Sequence, residues 1–405
     1  MIYLDHAATT PLEEPVFAAM FPYLRYNFGN PGSLHTYGRA AKQAVDAARE
    51  YVAAFFHTTP EHIIFTSGGS EASSLAFAQI GGIRSPGSPG SPRAVITSLA
   101  EHDSVIRAAI AARADKRYDL ISFIAPGSDG AVTLGGFLDA VERIGHDPVF
   151  VSLMYVNNEI GSVSDIPAIA AYCHEHGITL HVDCVQAAGF LDLDSSAIPF
   201  DYASVSAHKI GGPKGIGCLY RRDTGPLTPI VYGGGQEFGV RGGTENVPAI
   251  VGFGTACRCA FENLSERANT ASKRMLGFYE TLVRMMDGYQ IGDILHVNGA
   301  PPDKSPGKIL SLRFDGLDAE SLLLMLDANG VCCSAGSACH AHEHKPSRVL
   351  TALGYPDDQV MSSVRFSFSH TNTEQEVVEA AQTTARCAWM LSGHSGLFAN
   401  QSPCA

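Results

Sequence analysis

Ser206-Ala207-His208-Lys209-Ile210-Gly211-Gly212-Pro213-Lys214-Gly215 follows a strand-like apolar run, Tyr202 to Val205, and decides how the rest of the chain is read. It sets a lysine among small residues and glycines, where an amine is partly desolvated, sheds its proton and can form a Schiff base with an aldehyde. Upstream, His181-Val182-Asp183 closes the apolar run from Ile178 on a carboxylate. A buried anion at the end of a strand is what a protonated ring nitrogen requires as a partner. The interval between Asp183 and Lys209 has room for one strand and its connections. Downstream, Ser334-Ala335-Gly336-Ser337-Ala338-Cys339 carries a thiol on a run of small residues, so the loop loses little packing or rotamer freedom when it moves.

Outward from these motifs, strand-like runs at Ile63 to Thr66, Ala94 to Thr97, Ile121 to Ile124, Val149 to Met154 and Thr179 to Val182 alternate with helical periodicity, as at Arg39 to Phe56 and Ile166 to His176. That rhythm predicts an α/β fold, a mostly parallel sheet covered by helices. After residue 255 the pattern becomes one long helical segment, Ala256 to Met286, then strand candidates at Ile309 to Phe314 and Val364 to Phe368. The expected organisation is a large domain over 14–255, a smaller α+β domain from 1–13 and 256–390, and a disordered tail over 391–405. Arg84 to Pro92, rich in Pro, Gly and Ser, reads as a flexible loop.

The chain has 405 residues, 45% of them hydrophobic and 17% charged, enough for two substantial cores. Its formal net charge of −13 argues against a phosphate-backbone partner, because nucleic-acid binding rests on a basic face. No apolar run is long enough to span a membrane, and the start lacks a basic segment followed by an apolar one, so a cytoplasmic protein is expected. Ten scattered cysteines without extracellular spacing read as reduced thiols, mostly buried apolar filler. Cys332 and Cys333 end an apolar run and are expected to be buried.

Thr66-Ser67-Gly68-Gly69-Ser70-Glu71-Ala72 places a glycine turn between a strand and a helix, which aims free N–H groups and a hydroxyl at an anion. Ser206 and His208 could add donors. Glu101-His102-Asp103 follows another strand end, where ligand crevices of α/β sheets lie. His102 there could stack on a ring and relay protons near neutral pH. Arg365, a cation in the strand-like Ser363-Val364-Arg365-Phe366-Ser367, needs an anion, either a structural carboxylate or that of an amino-acid substrate. The cluster Cys339-His340-Ala341-His342-Glu343-His344 matches no usual structural zinc spacing, and no metal is expected.

Together with Tyr3-Leu4-Asp5-His6-Ala7-Ala8-Thr9-Thr10-Pro11, Phe28-Gly29-Asn30-Pro31 and Val156-Asn157-Asn158-Glu159-Ile160-Gly161, these motifs resemble the cysteine desulfurases of the NifS/IscS type over most of the chain. These are class V, fold-type I enzymes that use pyridoxal 5'-phosphate. The resemblance implies that Lys209 binds the cofactor, Asp183 pairs with its ring nitrogen, Gln186 touches its phenolic oxygen and His102 stacks on the ring. It implies that Gly69, Ser70, Ser206 and His208 hold the phosphate, with Thr244 of Arg241-Gly242-Gly243-Thr244-Glu245-Asn246 reaching it from a second subunit of a homodimer. Asn158 and Arg365 would bind the carboxylate of L-cysteine, and Cys339 would attack its sulfur to form a persulfide, releasing alanine.

The length of Cys339 to Pro346 resembles the long-loop subgroup, which passes sulfur to acceptors such as an iron-sulfur scaffold or a sulfur carrier. Cys184 and His370 depart from the usual pattern without removing a catalytic group. The tail after Trp389 does not resemble the scaffold-binding end of housekeeping members. His102-Asp103-Ser104 is similar to selenocysteine lyases, where an acidic neighbour of the stacking histidine accompanies selenium preference. Asp103 otherwise reads as a cap of the following helix near Ser104. A third alternative, a non-catalytic sulfur-relay subunit, is opposed by the presence of Lys209, His102, Cys339 and Arg365.

Overall fold

Buried β-branched and apolar residues recur along β2 (Ile63–Thr66), β3 (Ala94–Ser98), β5 (Phe150–Met154), β6 (Thr179–Asp183), β7 (Tyr202–Ser206) and β8 (Gly217–Arg221). Such runs belong to a sheet covered on both faces rather than to one with a wet side. A computed structural model of the protein describes residues 1–81, 93–145, 148–302, 307–335 and 346–394. With β4 (Leu120–Ile124), these strands form a seven-stranded sheet in the order β2-β8-β7-β6-β5-β3-β4. β8 is antiparallel to both of its neighbours. Because it lies between β2 and β7, β2 points the same way as the parallel strands. The carboxyl ends of β2, β3, β5, β6 and β7 therefore open on one edge, the edge at which α/β sheets bind ligands. Sequence reading located the other six strands and missed β8, whose run Gly-Cys-Leu-Tyr-Arg opens on a glycine, ends on an arginine and follows a Gly-Pro-Lys-Gly turn.

The sheet is covered by α1 (Glu14–Arg25), α2 (Thr36–Phe55), α3 (Gly69–Ala78), α4 (Asp103–Ala114), α5 (Leu134–Ile144), α6 (Ile166–Glu175) and α7 (Val247–Glu262). Helix α2 buries Ala41, Val45, Ala48 and Val52, one stripe at helical spacing. It packs closely on α7, where a Cβ on Gly254 would stand 2.7 Å from the Ala48 backbone. A buried pair, Arg49 Nη2 to Glu237 Oε1 at 2.6 Å, is completed by Glu237 accepting from Phe65 N and Arg49 donating to Ile63 O. Each of these charges has the several partners that a buried ion needs.

A second core gathers α8 (Leu264–Gly288), α9 (Ala319–Ala328) and α12 (Glu374–Trp389) around an antiparallel sheet in the order β12-β13-β10-β9. These strands are β9 (Leu295–Val297), β10 (Ile309–Phe314), β12 (Ser334–Ala335) and β13 (Ser363–Ser367). Short helices α10 (Arg348–Ala352) and α11 (Asp357–Met361) precede β13. The N-terminal arm joins this core: β1 (Ile2–Tyr3) pairs in parallel with β11 (Val331–Cys332), and Leu4 and Ala7 bond to Ser367.

The single helix expected over Ala256 to Met286 is two. Asn263 breaks it, its side-chain amide donating to Cys259 O at 3.1 Å, the local competition with the helix ladder that asparagine favours. The tail expected to be disordered from 391 begins instead as a continuation of α12 through Met390–His394. Residues 395–405 and the loop Arg84 to Pro92 lie outside the described residues. Among the described residues, no helix is long and apolar enough to cross a membrane.

Candidate active site

Strand β7 ends at Ser206, and a tight turn over Ala207–Lys209 aims the lysine back across the strand ends. Lys209 Nζ donates to Ala7 O at 2.6 Å and Ala8 O at 2.8 Å, so its amine is held by the N-terminal arm. The arm is fixed from below. Thr10 N and Oγ1 both donate to His208 O, Gln186 Nε2 donates to Ala7 O at 2.8 Å, and His208 Nδ1 meets Thr9 Oγ1 at 3.1 Å. Around Lys209 opens a cavity of about 510 Å³ lined by Gly69, Ser70, His102, Asn158, Asp183, Gln186, Ser206, His208 and Arg365. Of the expected site residues that are described, Thr244 does not reach it. Thr244 is exposed on the loop before α7 and stands apart from this cavity, and Cys339 lies outside the described residues.

At one end the first turn of α3 presents its N–H groups from Gly69 and Ser70. A Cβ on Gly69 would stand 2.7 Å from Val185 Cγ2, so only glycine lets the backbone come this close. Free N–H groups and the positive end of a helix make a place for an anion. Glu71 in that turn accepts from Ser67 N and pairs with Arg241 Nε at 3.0 Å, which ties the Arg241 to Asn246 loop to the same corner.

The middle of the cavity belongs to Asp183 and His102. Asp183 is 3% exposed and accepts from Val185 N at 2.9 Å. Burial pushes its carboxyl above the usual range, although His102, the Val185 N–H and Lys209 pull the other way. A cationic partner in the cavity would restore the carboxylate. His102 caps α4: Nδ1 accepts from Ser104 N at 3.1 Å and meets Ser104 Oγ at 2.8 Å. Burial lowers its pKa, so the ring is neutral, and with Nδ1 accepting, the ring proton sits on Nε2. Gln186 gives its Nε2 to the arm, and its buried Oε1 has no partner. What Gln186 offers a ligand is therefore an acceptor, suited to a hydroxyl rather than to a phenolate.

Two residues before Asp183, on the same face of β6, His181 is fully buried between Ser152 Oγ and Ser204 Oγ, each at 2.8 Å. Burial pushes its pKa from 6.5 down to about 3, so the unfolded chain binds the extra proton. The stability this residue contributes is full above pH 6.5 and is lost as the pH falls toward about 3. His181→Gln, which has no proton to gain, is expected to show a melting-temperature deficit against the wild type that shrinks as pH falls from 6.5. Thermal scans across that range check it; a deficit that stays constant removes the linkage.

At the far end Arg365, 2% exposed in β13, donates from Nη1 to Asn158 O at 2.8 Å and from Nη2 to Asp5 Oδ1 at 2.9 Å. The Asn158 turn is set by Asn157, whose Oδ1 accepts from Glu159 N and Ile160 N. Asn158 Oδ1 is buried without a partner among the described residues. Arg365 thus has the structural carboxylate expected as one alternative, and it also lines the cavity expected under the other.

Asp103 does not cap α4, because His102 takes the Ser104 N–H. Its Oδ1 instead pairs with Arg348 Nη1 at 2.5 Å, and its Oδ2 lies 3.8 Å from Arg107 Nε. Arg348 also donates to Glu101 O at 2.6 Å and Leu99 O at 3.3 Å, so α10 is clamped to the His102 turn. Sequence reading passed over Arg348; a cation at the first position of a helix, against the dipole, was the available signal. Cys332 and Cys333 are half-buried rather than fully buried: Cys332 pairs with the arm at the edge of the small core, and Cys333 packs against that core.

An amine, a buried carboxylate near a neutral imidazole, and a helix N-terminus suit an aldehyde, a protonated ring nitrogen and a phosphate. The unpartnered acceptors on Gln186 and Asn158 face the same space. This donor set fits pyridoxal phosphate, and with the sheet it defines a fold-type I site. The class-V aminotransferase profile matches residues 2–379. The IscS-like cysteine desulfurase of Mycobacterium tuberculosis (strain ATCC 25618 / H37Rv) is 36% identical, over 94% of this chain and 95% of that protein. A solved NifS-like protein superposes with a TM-score of 0.82 at 29% identity, covering 95% of this chain and 98% of the other. SspA in complex with cysteine superposes with a TM-score of 0.73 at 27% identity, covering 92% and 100%. The chain belongs to the class-V aminotransferase family, among the cysteine desulfurases of the IscS/NifS type.

Proposed function

We propose that the cavity is the pyridoxal-phosphate site of a cysteine desulfurase that converts L-cysteine to L-alanine and leaves the sulfur on Cys339. The observation that carries this reading is the convergence of Lys209, Asp183, His102 and Arg365 on one cavity. When bound, pyridoxal phosphate supplies the electron sink that makes the Cα proton of an amino acid acidic. Lys209 holds the cofactor and moves that proton; Asp183 keeps a positive ring nitrogen in place; Gly69, Ser70, Ser206 and His208 surround the phosphate. Neutral His102 offers its Nε2 proton from a cap that fixes the ring. Asn158 and Arg365 orient the substrate carboxylate.

The Cys339 thiolate attacks the substrate sulfur. An S–S bond forms, the Cβ–S bond breaks, and its electron pair stays with Cβ, which takes a proton to become the methyl of alanine.

The protein is further read as a cytoplasmic homodimer in which Thr244 of one subunit reaches the phosphate of the other. Its exposure outside its own cavity supports this, as does the exposed stacked pair Phe28 and Tyr37, with ring centres 5.2 Å apart. The acceptor of the persulfide is a protein such as an iron-sulfur scaffold or a sulfur carrier. Residues 14–255 form the unit that holds the cofactor, and 1–13 with 256–390 the unit that carries the Cys339 loop.

The ion pair with Arg348 disfavours the selenocysteine-lyase alternative, because a neutralised Asp103 has little field left to act on an incoming thiol. The test measures alanine release from L-cysteine and from selenocysteine for the wild type and Asp103→Ala. Turnover of cysteine is expected in both, with an unchanged ratio and a loss of about 0.2–1 kcal/mol of stability. No alanine from cysteine overturns the desulfurase reading; a ratio shifted toward cysteine in Asp103→Ala restores the selenium one.

A further inference from the structure

A second cavity, of about 340 Å³, meets the first at Lys209, which lines both, and lies between the arm, α8 and the segment after β13. Glu14 is exposed at the rim and solvated, and the charges further in do not balance. Glu13 is held by Arg267 through two bonds of 2.8 and 2.9 Å, and His370 Nε2 stands 3.8 Å from the same carboxylate. That leaves Lys308, immediately before β10, whose carbonyl accepts from Phe368 N at 2.7 Å but whose ammonium has no hydrogen bond or ion pair among the described residues. Its ammonium is 5.9 Å from the centre of the Phe190 ring, at the limit of a cation–π contact. Burial and the like charge of Lys209 bring its pKa down to about 8, so it is still a cation at neutral pH. Beside it His6 is 5% exposed; among the described residues neither ring nitrogen has a hydrogen bond of ordinary geometry, and the Tyr3 backbone and the Asn372 side chain act on it only weakly. A half-buried cation without an anion is costly, and a buried imidazole held only by loose contacts gains from a closer partner. Phe190 and Phe368 give an apolar stretch of the wall, which also carries Thr10, Ser369 and Thr371.

We propose that this cavity binds a small carboxylate, of acetate to amino-acid size, whose charge pairs with Lys308 and accepts a hydrogen bond from His6 while its carbon tail lies on Phe190 and Phe368. A carboxylate fits better than a bare inorganic ion because its charge is confined to one end and its carbon tail can lie against the two phenyl rings. Room for several heavy atoms is available, the lower range of small-molecule sites. The inference does not depend on which reaction the first cavity performs.

The test titrates isotope-labelled acetate into the cofactor-loaded protein at constant ionic strength, chloride being replaced, and follows both the acetate NMR signal and the melting temperature. Two saturable sites per chain are expected, one at Arg365 and one here. Lys308→Met removes the charge but keeps the stem, and Ala271→Leu fills the cavity from α8 while leaving the charge. Each is expected to weaken the second site by at least about tenfold, leave the first, and lose most of the acetate-induced rise in melting temperature. If Lys308→Met does not fold, Ala271→Leu decides. A single site in the wild type, or two sites of unchanged affinity in both variants, overturns the proposal.

Discussion

Lys209→Ala is expected to lose the visible absorbance of the reconstituted protein and to lower alanine release from cysteine by about 10²–10⁴-fold or more. Among the described residues no other amine lines the cavity. Lys308, the other lysine nearby, lines the neighbouring cavity and not this one, and Arg365 is a guanidinium that does not lose its proton. The substitution also removes, among the described residues, the only side-chain donor to Ala8 O and one of the two to Ala7 O, which keeps Gln186 Nε2, each lost bond worth about 0.5–1.5 kcal/mol. Melting temperature should fall with the arm loosened and the sheet intact. Absorbance, turnover and circular dichroism together check this: a variant that keeps turnover refutes the role given to Lys209. If the variant unfolds, Lys209→Arg, which keeps donors for both carbonyls, separates the chemical loss from the structural one.

Cys339→Ala is expected to keep the cofactor spectrum and to lose persulfide formation entirely, since binding and sulfur abstraction use different residues. The described thiols make poor competitors. Burial pushes Cys333 far up, and Cys332 is raised by burial and by Asp327 beside it. Nucleophilic attack needs thiolate, which both lack at neutral pH. Neither lines the cavity. Mass spectrometry of the wild type after exposure to cysteine should find the added sulfur on Cys339, and finding it on Cys332 or Cys333 refutes the assignment.

Much of this site was legible because its residues terminate strands. An apolar run that ends on Asp183, or on Ser206 and then Lys209, announces both the strand and the side chain at its mouth. What stayed hidden was held by contacts across the chain. Nothing local in Ala7 or Ala8 marks their carbonyls as the seat of a lysine, because any residue supplies a carbonyl. Arg348 was passed over since its partners, Asp103 and the carbonyls of Leu99 and Glu101, are distant in sequence. The reading of Asp103 as a cap failed on competition: His102, one residue earlier, reaches the same N–H. β8 was missed because an antiparallel insertion in a parallel sheet has no periodic signature of its own. The break at Asn263 was present in the sequence as an asparagine, but helical periodicity on both sides outweighed it.

Residues 1–10 leave the ribosome long before the segments that fix them in place. Ile2 bonds to Gly330, Leu4 to Cys332 and Ser367, and Ala7 to Ser367, 360 residues further on. At about 5–20 residues per second, synthesis keeps the arm waiting for roughly 20–70 s. Throughout that interval the two carbonyls that receive the lysine amine have no fixed position, even though the strands that carry Asp183 and Lys209 have already emerged. A growing chain thus holds no finished pocket for a reactive aldehyde until Ser367 has been made, and a fragment ending short of Ser367 should stay colourless whatever cofactor surrounds it.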